Sequence, residues 1–548
     1  MHNGSGPKRP HRPVRPVRDI LGTPDHLLLE EYVSPVLSGR RRTAVTTAGA
    51  SALLATTLAV TLTAALAVAP AGAAETAAVP KVLVIGLDGV VLDRVKVADA
   101  PHLNGLMAQG TTARSTLYAN PMAATSSGPG WSTVATGVWP DKHGVRDNSF
   151  TGKNYTAHPD FLTRIENAKP SLHTYAAADW EPLTSTDQNG PVFSAKVDKR
   201  LSLKGDRDGY GNEDPKVAAA AATELRDADT DAAFVYLGQV DSAGHSYGAA
   251  SQQYLDAIAR VDALVGQILT AVRNRPTYAQ ENWKVLVTTD HGHTGAGGHG
   301  GSGIEERGTF VLAQGAGIPA GSVRDDVRLV DVAATALEHV GVAAGPALDG
   351  VPLNTPDSDP FDTLRPQLRA RVDETGIPVG TKGFTHTPPA GWSVDNSRMG
   401  SGGVSEWAGW TFATDAFWSQ SQRDQWRELN VRSRDVFAVA DSDEWDDKTH
   451  TGSFDSTLVT PKWAVTGGTT RTLRYATHYR HEAPQTAEVL VSYDGGTPQV
   501  VKSYTADAVA RNEAVVLQVP AGATGVQIRF RYTGSNNWYW TIDNVTLN

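Results

Sequence analysis

The sequence predicts an α/β protein with a doubly wound, mostly parallel sheet, followed by a second, all-β sandwich domain. Three continuous apolar runs that each lead to an aspartate predict the sheet, because buried parallel strands are hydrophobic on both faces. These runs are 81–87 before Asp88, 232–237 before Asp241 and 285–287 before Asp290. Alternation of apolar and polar residues near the C-terminus predicts the sandwich. A length of 548 residues is too great for one hydrophobic core, so at least two domains are expected.

Helical patterns separate the predicted strands. Apolar residues recur at helical spacing from Leu255 to Val272, and Pro276 then ends that helix. A further strand is expected near 309–313 and a further helix near 332–340. Strands that alternate with helices in this way favour a parallel sheet with helices on both faces.

The second half has a different pattern. Apolar and polar residues alternate at 473–479, at 489–491 and at 526–532, which is typical of antiparallel strands. Nine of the 13 tryptophans also lie in this half. We therefore predict an α/β domain at 79–355, a linker at 356–382 and a β-sandwich at 383–548. A short charged helix is expected around 364–372, and the sequence leaves open to which side it belongs.

Composition excludes several classes of protein. The chain has no cysteine, which excludes disulfides, thiolate zinc sites and a cysteine nucleophile. The net charge of −10 argues against a nucleic-acid scaffold as an obligate partner, since such proteins usually carry a basic face.

The N-terminal 74 residues resemble an export signal. A polar, basic leader precedes an uncharged stretch from Thr43 to Ala74, and small residues follow at 71–73. This order predicts a signal peptide cut near Ala73 or Ala74, and hence a secreted or cell-surface protein. An uncleaved anchor helix is the alternative, because the uncharged stretch is long enough to cross a bilayer.

Seven side chains with metal-ligand chemistry lie at predicted strand ends or in the segments that follow them. Open α/β sheets gather their ligands at the carboxyl ends of the strands. Oxygen and imidazole ligands without thiolate suit two zinc-like ions that activate a hydroxyl group. The seven residues are Asp88, Ser127, Asp241, His245, Asp290, His291 and His299.

Ser127 begins a Ser-Gly-Pro-Gly segment ahead of a predicted helix at 132–136. Free N–H groups and the helix dipole at such a terminus favour a bound phosphoryl group. Asp241 and His245 are one helical turn apart, so both can face one ion. Taken singly, each feature has a structural alternative, such as a capped turn or a histidine in the core. Their combination within one domain favours a metal site.

Residues 81–353 resemble the alkaline phosphatase superfamily, and are most similar to its type I phosphodiesterase and nucleotide pyrophosphatase branch. The resemblance implies an alkaline phosphatase-like fold and a phosphoester hydrolase. The matching segments are Gly86-Leu-Asp88-Gly89, Ser127-Gly-Pro129-Gly, 136–148, Val240-Asp241-Ser-Ala-Gly-His245, Thr289-Asp290-His291-Gly292 and Gly298-His299-Gly300.

By this resemblance, two divalent ions, zinc in most of the family, are bound at one site. One ion takes Asp241, His245 and His299, and the other takes Asp88, Asp290, His291 and the Ser127 oxygen. Asn148 hydrogen-bonds a phosphoryl oxygen of a small phosphorylated substrate. The resemblance further implies that Ser127 attacks phosphorus and forms a phospho-serine intermediate.

The sequence departs from the branch in three respects. Ser127 stands where the branch usually has threonine, and Gly130 stands where it usually has asparagine. The long insertion that often precedes the last histidine is missing. Two alternatives to a diesterase therefore remain: a phosphomonoesterase (alkaline phosphatase) of the same superfamily, or a glycan- or cell-surface-binding protein whose hydrolase-like domain is inert.

The C-terminal module resembles the jelly-roll sandwiches found on secreted bacterial enzymes. Four of its aspartates could supply oxygen ligands to a structural Ca²⁺, or could form a solvated acidic loop. Exposed tryptophans would give glycan or cell-wall contact, whereas buried ones would fill the sandwich core. The four candidate calcium ligands are Asp441, Asp443, Asp446 and Asp543.

Overall fold

The computed structural model describes residues 78–186, 189–345, 347–355 and 358–548. The predicted leader and signal peptide lie outside these residues. Within the described residues, no helix is both long enough and apolar enough to cross a membrane.

An eight-stranded sheet forms the first part of the chain, in the order β4-β3-β5-β1-β6-β7-β2-β8. Only β7, among the strands of this sheet, runs antiparallel to its neighbours. The predicted mostly parallel sheet is therefore confirmed. The strands are β1 (Val79–Leu87), β2 (Thr111–Thr116), β3 (His173–Ala178), β4 (Lys199–Ser202), β5 (Thr230–Leu237), β6 (Glu281–Thr288), β7 (Gly308–Gly315) and β8 (Ser322–Arg324).

Helices cover both faces of this sheet. Successive residues of β1 alternate between the two apolar layers, so Val82 and Val84 face one layer while Leu83 and Ile85 face the other. The helices are α1 (Leu92–Val95), α2 (Pro101–Gln109), α3 (Ser127–Thr136), α4 (Pro140–His143), α5 (Phe161–Ala168), α6 (Glu181–Thr184), α7 (Gly205–Asp208), α8 (Tyr210–Asp227), α9 (Gln239–Tyr247), α10 (Gln252–Arg273), α11 (Ile304–Arg307) and α12 (Asp331–His339). The helices predicted at 255–272 and near 332–340 are α10 and α12.

Two large antiparallel sheets form most of the second part, in the orders β21-β18-β23-β14-β13-β10-β9 and β11-β16-β22-β19-β20. Strand β17 also pairs with β22, and β12 and β15 form a separate two-stranded sheet. A shared apolar core joins the two large sheets, as the sandwich prediction requires. The strands are β9 (Arg369–Ala370), β10 (Lys382–Thr385), β11 (Ser393–Asp395), β12 (Ser401–Gly402), β13 (Thr411–Thr414), β14 (Val436–Asp441), β15 (His450–Thr451), β16 (Phe454–Val459), β17 (Trp463–Ala464), β18 (Thr470–Tyr479), β19 (Thr486–Tyr493), β20 (Gln499–Tyr504), β21 (Ala508–Gln518), β22 (Gly525–Gly534) and β23 (Tyr539–Leu547), with helices α13 (Asp415–Ser421) and α14 (Ser442–Asp446) between them.

The short helix predicted at 364–372 is wrong. A 3₁₀ helix, Asp362–Gln367, is followed by strand β9, which pairs with β10 at the edge of the larger sheet. Pro366 lacks the N–H group that an α-helix needs at this position, which explains the early end.

The tryptophans of the second part fill its core. Six of them are buried, and the other three, Trp426, Trp463 and Trp538, are half-buried. The Arg480 guanidinium lies over the rings of Trp426 and Trp538, 4.7 and 3.4 Å from their centroids. None of the nine rings is exposed, so the structure favours the core role over a stacking surface for sugars.

The two parts pack together within one unit that spans residues 75–548. Arg307, at the end of α11, is buried in this joint. Its guanidinium donates to the Leu117 carbonyl at 2.8 Å, and to Ser419 Oγ and Asp415 Oδ2 at 2.8 and 2.9 Å. Because Gly292 N donates to the Glu306 carbonyl, α11 also holds the segment that follows β6. The boundaries at 355 and 383 stay a prediction.

We expect Asp415→Ala to lower the free energy of unfolding by about 3–5 kcal/mol, because it leaves the buried Arg307 charge without its acidic partner. Urea unfolding followed by tryptophan fluorescence measures this change. The matched control is Asp93→Ala, which breaks an exposed pair with Arg114 and should cost about 1 kcal/mol or less. Equal losses in the two variants would contradict the structural role given to Arg307.

Candidate metal centre

All seven predicted ligands lie at the carboxyl edge of three adjacent central strands, β5, β1 and β6. Asp88 follows β1 directly, and Asp290 and His291 follow β6. Asp241 and His245 project from α9, which begins two residues after β5. Ser127 is the first residue of α3, as its predicted place at a helix N-terminus requires.

The first cluster joins Asp88, Ser127, Asp290 and His291. His291 Nε2 lies 3.4 Å from Asp88 Oδ1, 3.3 Å from Asp290 Oδ2 and 3.4 Å from Ser127 Oγ. A tetrahedral zinc ion with bonds of about 2.0–2.1 Å separates its ligand atoms by about 3.3 Å. The spacing of this cluster therefore fits one small divalent ion.

The hydrogen bonds around this cluster leave lone pairs facing its centre. His291 Nδ1 lies 3.0 Å from the Gly292 carbonyl, which can only accept, so Nδ1 carries the hydrogen and Nε2 does not. Asp88 Oδ2 accepts from Trp131 and Tyr236, whereas Asp88 Oδ1 and Asp290 Oδ2 are buried without a donor. Orphaned buried oxygens are costly, and a cation offsets that cost.

The second cluster joins Asp241, His245 and His299. The Nε2 atoms of the two histidines lie 3.0 Å apart, and Asp241 lies 3.4 Å from His245 and 3.5 Å from His299. His299 Nδ1 lies 2.8 Å from the Thr125 carbonyl, so its Nε2 lone pair also faces the cluster. These three residues and His293 form a group that could hold a metal ion, and Asp241 belongs to a second such group with Asp88 and His291.

Sequence reasoning missed one member of the second cluster. His293 is buried, and its Nε2 lies 2.7 Å from Asp241 Oδ1. The spacing Asp290-His291-Gly292-His293 was a usable signal, because residues two apart in an extended segment face the same way.

Burial and neighbouring charge perturb the titration of the ligands. Burial, with the Asp241 charge, raises the pKa of Asp88 to about 8, and burial with the charge of Asp88 raises the pKa of Asp290 well above its usual value. Burial lowers the pKa of His291 far below its usual value. Burial opposes ionisation of Asp241 too, but hydrogen bonding by His293 and the nearby histidines lower its pKa to about 2. A neutral imidazole and a carboxylate are the forms that bind metal.

The glycine at position 130 is explained by the close packing of α3 against the segment that carries Asp290. A Cβ atom on Gly130 would lie 2.6 Å from the Asp290 carbonyl oxygen, so α3 packs against the ligand segment only if the side chain is absent. The departure from asparagine therefore accompanies a close approach of α3 to Asp290.

Asn148 lies beside Ser127 at the mouth of the site. Its Oδ1 accepts from Gly128 N at 2.7 Å, which leaves the side-chain amide hydrogens directed to other acceptors. Both residues line a cleft of about 690 Å³. A phosphoryl oxygen at Ser127 is thus within the region that Asn148 borders.

The cleft is acidic. Among the described residues, its lining includes Asp88, Asp206 and Asp241 but no lysine or arginine. The aromatic rings of Trp180 and Tyr210 also line it.

The four candidate calcium ligands do not form one site, which corrects that prediction. Asp441 and Asp443 both lie beside the buried Arg427 guanidinium, which supplies their counter-charge. Asp446 contacts His450. Asp543 lies four residues farther along the paired strands, where it accepts from Arg434 N at 2.7 Å. The register of β14 against β23 separates them, and no sequence pattern fixes that register.

Residues 82–301 match the family model for type I phosphodiesterases and nucleotide pyrophosphatases. All seven predicted ligands lie inside the matched segment. The resemblance to the alkaline phosphatase superfamily, and to this branch of it, is therefore confirmed for that segment.

Individual relatives share only about a quarter of their residues with this chain over the matched segment. Mouse ectonucleotide pyrophosphatase/phosphodiesterase family member 7 is 25% identical over 229 residues, which cover 39% of this chain and 50% of that protein. Human bis(5′-adenosyl)-triphosphatase ENPP4 is 22% identical over 235 residues, which cover 39% and 48%. The solved murine ectonucleotide pyrophosphatase/phosphodiesterase 5 aligns with a TM-score of 0.39 at 15% identity, over 48% of this chain and 96% of that chain. The chain spans about half the length of the curated relatives it matches.

A buried carboxyl pair, Asp179 and Asp214, supports the start of α9. The Asp214 oxygens accept from Gly238 N and Gln239 N at 2.9 and 3.0 Å. Burial and the charge of Asp214 raise the pKa of Asp179 to about 10, and burial raises the pKa of Asp214 to about 6. Asp179 therefore keeps its proton at neutral pH.

Because the pKa of Asp179 is raised on folding, the folded chain binds more protons than the unfolded chain between the usual value of 3.8 and about 10. Stability due to this group is present at low pH and is lost as the pH rises through that window. We expect Asp179→Asn to flatten this decline, so that the variant gains stability over the parent at pH 9 relative to pH 5. Urea midpoints at the two pH values measure it. Asp227→Asn, an exposed control whose pKa is lowered, should show no such change.

Proposed function

We propose that this protein is a two-metal phosphoester hydrolase that cleaves phosphodiester or pyrophosphate bonds through a phospho-serine at Ser127. One observation carries the proposal. Three lone-pair atoms, two of them buried carboxylate oxygens that have no donor, converge beside the Ser127 hydroxyl. The family match supports the same class of chemistry.

The residues present fit two divalent ions. Asp88, Asp290, His291 and Ser127 would hold one, and Asp241, His245 and His299 the other. A ligand set of imidazole and carboxylate without thiolate favours zinc. When bound, the ions supply Lewis-acid stabilisation of the serine oxygen and of the phosphoryl oxygens.

The side chains of the chain then account for two displacement steps. Ser127 Oγ attacks phosphorus in line as its proton passes to water, and the bond to the departing ester oxygen breaks as that oxygen takes the electron pair. The positive end of the α3 dipole and the Asn148 amide stabilise the charge on the phosphoryl oxygens. Water next attacks the phospho-serine, which releases the phosphate product and restores the hydroxyl of Ser127.

The charge of the cleft favours a diester or pyrophosphate over a monoester. A monoester carries an extra negative charge and is usually met by a cationic side chain, but among the described residues neither lysine nor arginine lines the cleft. Lys142 donates instead to Asp349 Oδ1 at 2.7 Å, and Arg146 is not part of the lining. Asp206 adds further negative charge at the rim.

We expect zinc-loaded protein to hydrolyse bis-p-nitrophenyl phosphate with a higher kcat/KM than p-nitrophenyl phosphate. EDTA should abolish both activities, because the orphaned carboxylates then lose their cation. Ser127→Ala should lower kcat by about a thousandfold or more, since the nucleophile is removed. Release of p-nitrophenol measures each rate.

Ser126→Ala is the matched control, because this neighbouring hydroxyl precedes α3 and is hydrogen-bonded to none of the described ligand residues. It should retain the parent's kcat. Turnover that resists EDTA, or full activity in Ser127→Ala, would sink the proposal. Faster hydrolysis of the monoester would replace it with the phosphomonoesterase alternative.

We also infer that the protein is exported, on the basis of the uncharged stretch and small residues that end near Ala74. N-terminal sequencing of protein recovered from the medium of an expressing bacterium should begin at Ala74 or Glu75. An intact N-terminus in the membrane fraction would favour the anchor alternative. Glycan contact and a jelly-roll topology of the C-terminal sandwich stay predictions.

A further inference from the structure

His293 lies behind the second ligand cluster, on the side away from the cleft. The side chain is fully buried, whereas that of its hydrogen-bond partner Asp241 is 19% exposed. Asp241, His245 and His299 line the cleft, but His293 does not. Its imidazole packs edge-to-face against the rings of His245 and His299, with centroids 5.1 and 5.0 Å away, and its hydrogen bond to the cluster goes to Asp241.

Two glycines form a space for this ring. A Cβ atom on Gly244 would lie 2.6 Å from His293 Nε2, and one on Gly89 would lie 2.9 Å from His293 Cδ2. Gly244 immediately precedes the ligand His245, and Gly89 immediately follows the ligand Asp88. The two ligand segments thus approach each other around this imidazole.

The hydrogen bonds of the ring fix its tautomer. Nε2 lies 2.7 Å from Asp241 Oδ1, while Nδ1 is buried without a partner. A neutral imidazole carries one N–H group, and the carboxylate oxygen is the acceptor within reach. The hydrogen therefore belongs on Nε2, from which it is donated to Asp241.

The distances distinguish this contact from a shared metal. Ligand atoms on one zinc ion are about 3.3 Å apart, and the contacts among Asp241, His245 and His299 measure 3.0–3.5 Å. The separation of 2.7 Å between His293 and Asp241 is that of a hydrogen bond. Asp241 Oδ2, the other oxygen, lies 3.4 Å from His245 Nε2.

We propose that His293 is a positioning residue, which holds Asp241 Oδ1 by a hydrogen bond and so presents Oδ2 to the ion shared with His245 and His299. This inference rests on the proposed two-metal function. Hydrogen bonds to ligating carboxylates commonly contribute about 10–100-fold in metal affinity or activity. The other ion would be held by Asp88, Asp290, His291 and Ser127, none of which is hydrogen-bonded to His293.

The test measures zinc retention in the full chain. After loading with zinc and dialysis against a competing chelator, the parent should retain about two ions per chain, and His293→Ala about one, because one affinity falls about 10–100-fold. His293→Gln keeps an N–H donor and should recover part of the lost affinity. Atomic emission of zinc and competition with a chromophoric chelator give the content and the affinities.

His339→Gln is the control, because this half-buried histidine bonds the Asn282 carbonyl near the opposite end of β6. It should retain both ions. Thermal unfolding with zinc and in EDTA separates a folding defect from a metal defect. The difference in Tm between the zinc-loaded and the metal-free protein should be smaller for His293→Ala than for the parent.

Unchanged affinities in His293→Ala would overturn the inference. So would a zinc-loaded crystal structure with His293 Nε2 at about 2.0–2.1 Å from the ion, since that is a ligand bond. A parent that retains two ions yet hydrolyses no diester would sink the proposed function and leave this inference standing. Failure of the two ideas is therefore distinguishable.

Discussion

The candidate metal centre brings carboxylate oxygens and an imidazole nitrogen close together with no hydrogen-bond donor between them. Asp88 Oδ1 and Asp290 Oδ2 are buried and face the bare Nε2 of His291. Such an arrangement is unfavourable by itself, since two ionised carboxylates that are buried side by side in a low dielectric repel each other. A divalent cation turns each of these costs into an attraction. Metal binding and the stability of the fold are therefore linked at this edge of the sheet.

The surrounding structure supports this unfavourable centre from three directions. The parallel strands β5, β1 and β6 fix where the ligand segments begin. Close approaches at Gly130 and Gly244 let α3 and His293 press against those segments. From the C-terminal part, Asp415 at the start of α13 pairs with Arg307, and α11, which ends at Arg307, is hydrogen-bonded to the segment after β6. The C-terminal part thus supports the position of the ligand segment through Arg307. None of the described residues that line the cleft comes from that part.

The sequence could predict features that depend on local pattern. Apolar runs that end in aspartate located the strands, and the carboxyl edge of a parallel sheet then gathered Asp88, Asp241 and Asp290. Features that depend on long-range pairing were not predictable. The register of β14 against β23 separates Asp441 from Asp543, and the contact of His293 with Asp241 joins residues 52 positions apart. The charged composition of residues 364–372 indicates a helix, but Pro366 lacks the N–H group that an α-helix needs there, and the segment does not form one.

The same electrostatics constrain the substrate. Asp206 and the ligand carboxylates give the cleft a negative field that only bound cations reverse, and the reversal is local to the ligand clusters. Under the proposed function, a phosphoryl group would be attracted at Ser127 and would meet negative charge at Asp206, which lines the same cleft. A leaving group that is neutral or cationic would suit the part of the cleft near Asp206, where Trp180 and Tyr210 offer ring faces. If the proposed function holds, a second dianionic phosphate there would be opposed by Asp206, and a simple diester would be a better substrate than an extended polyphosphate.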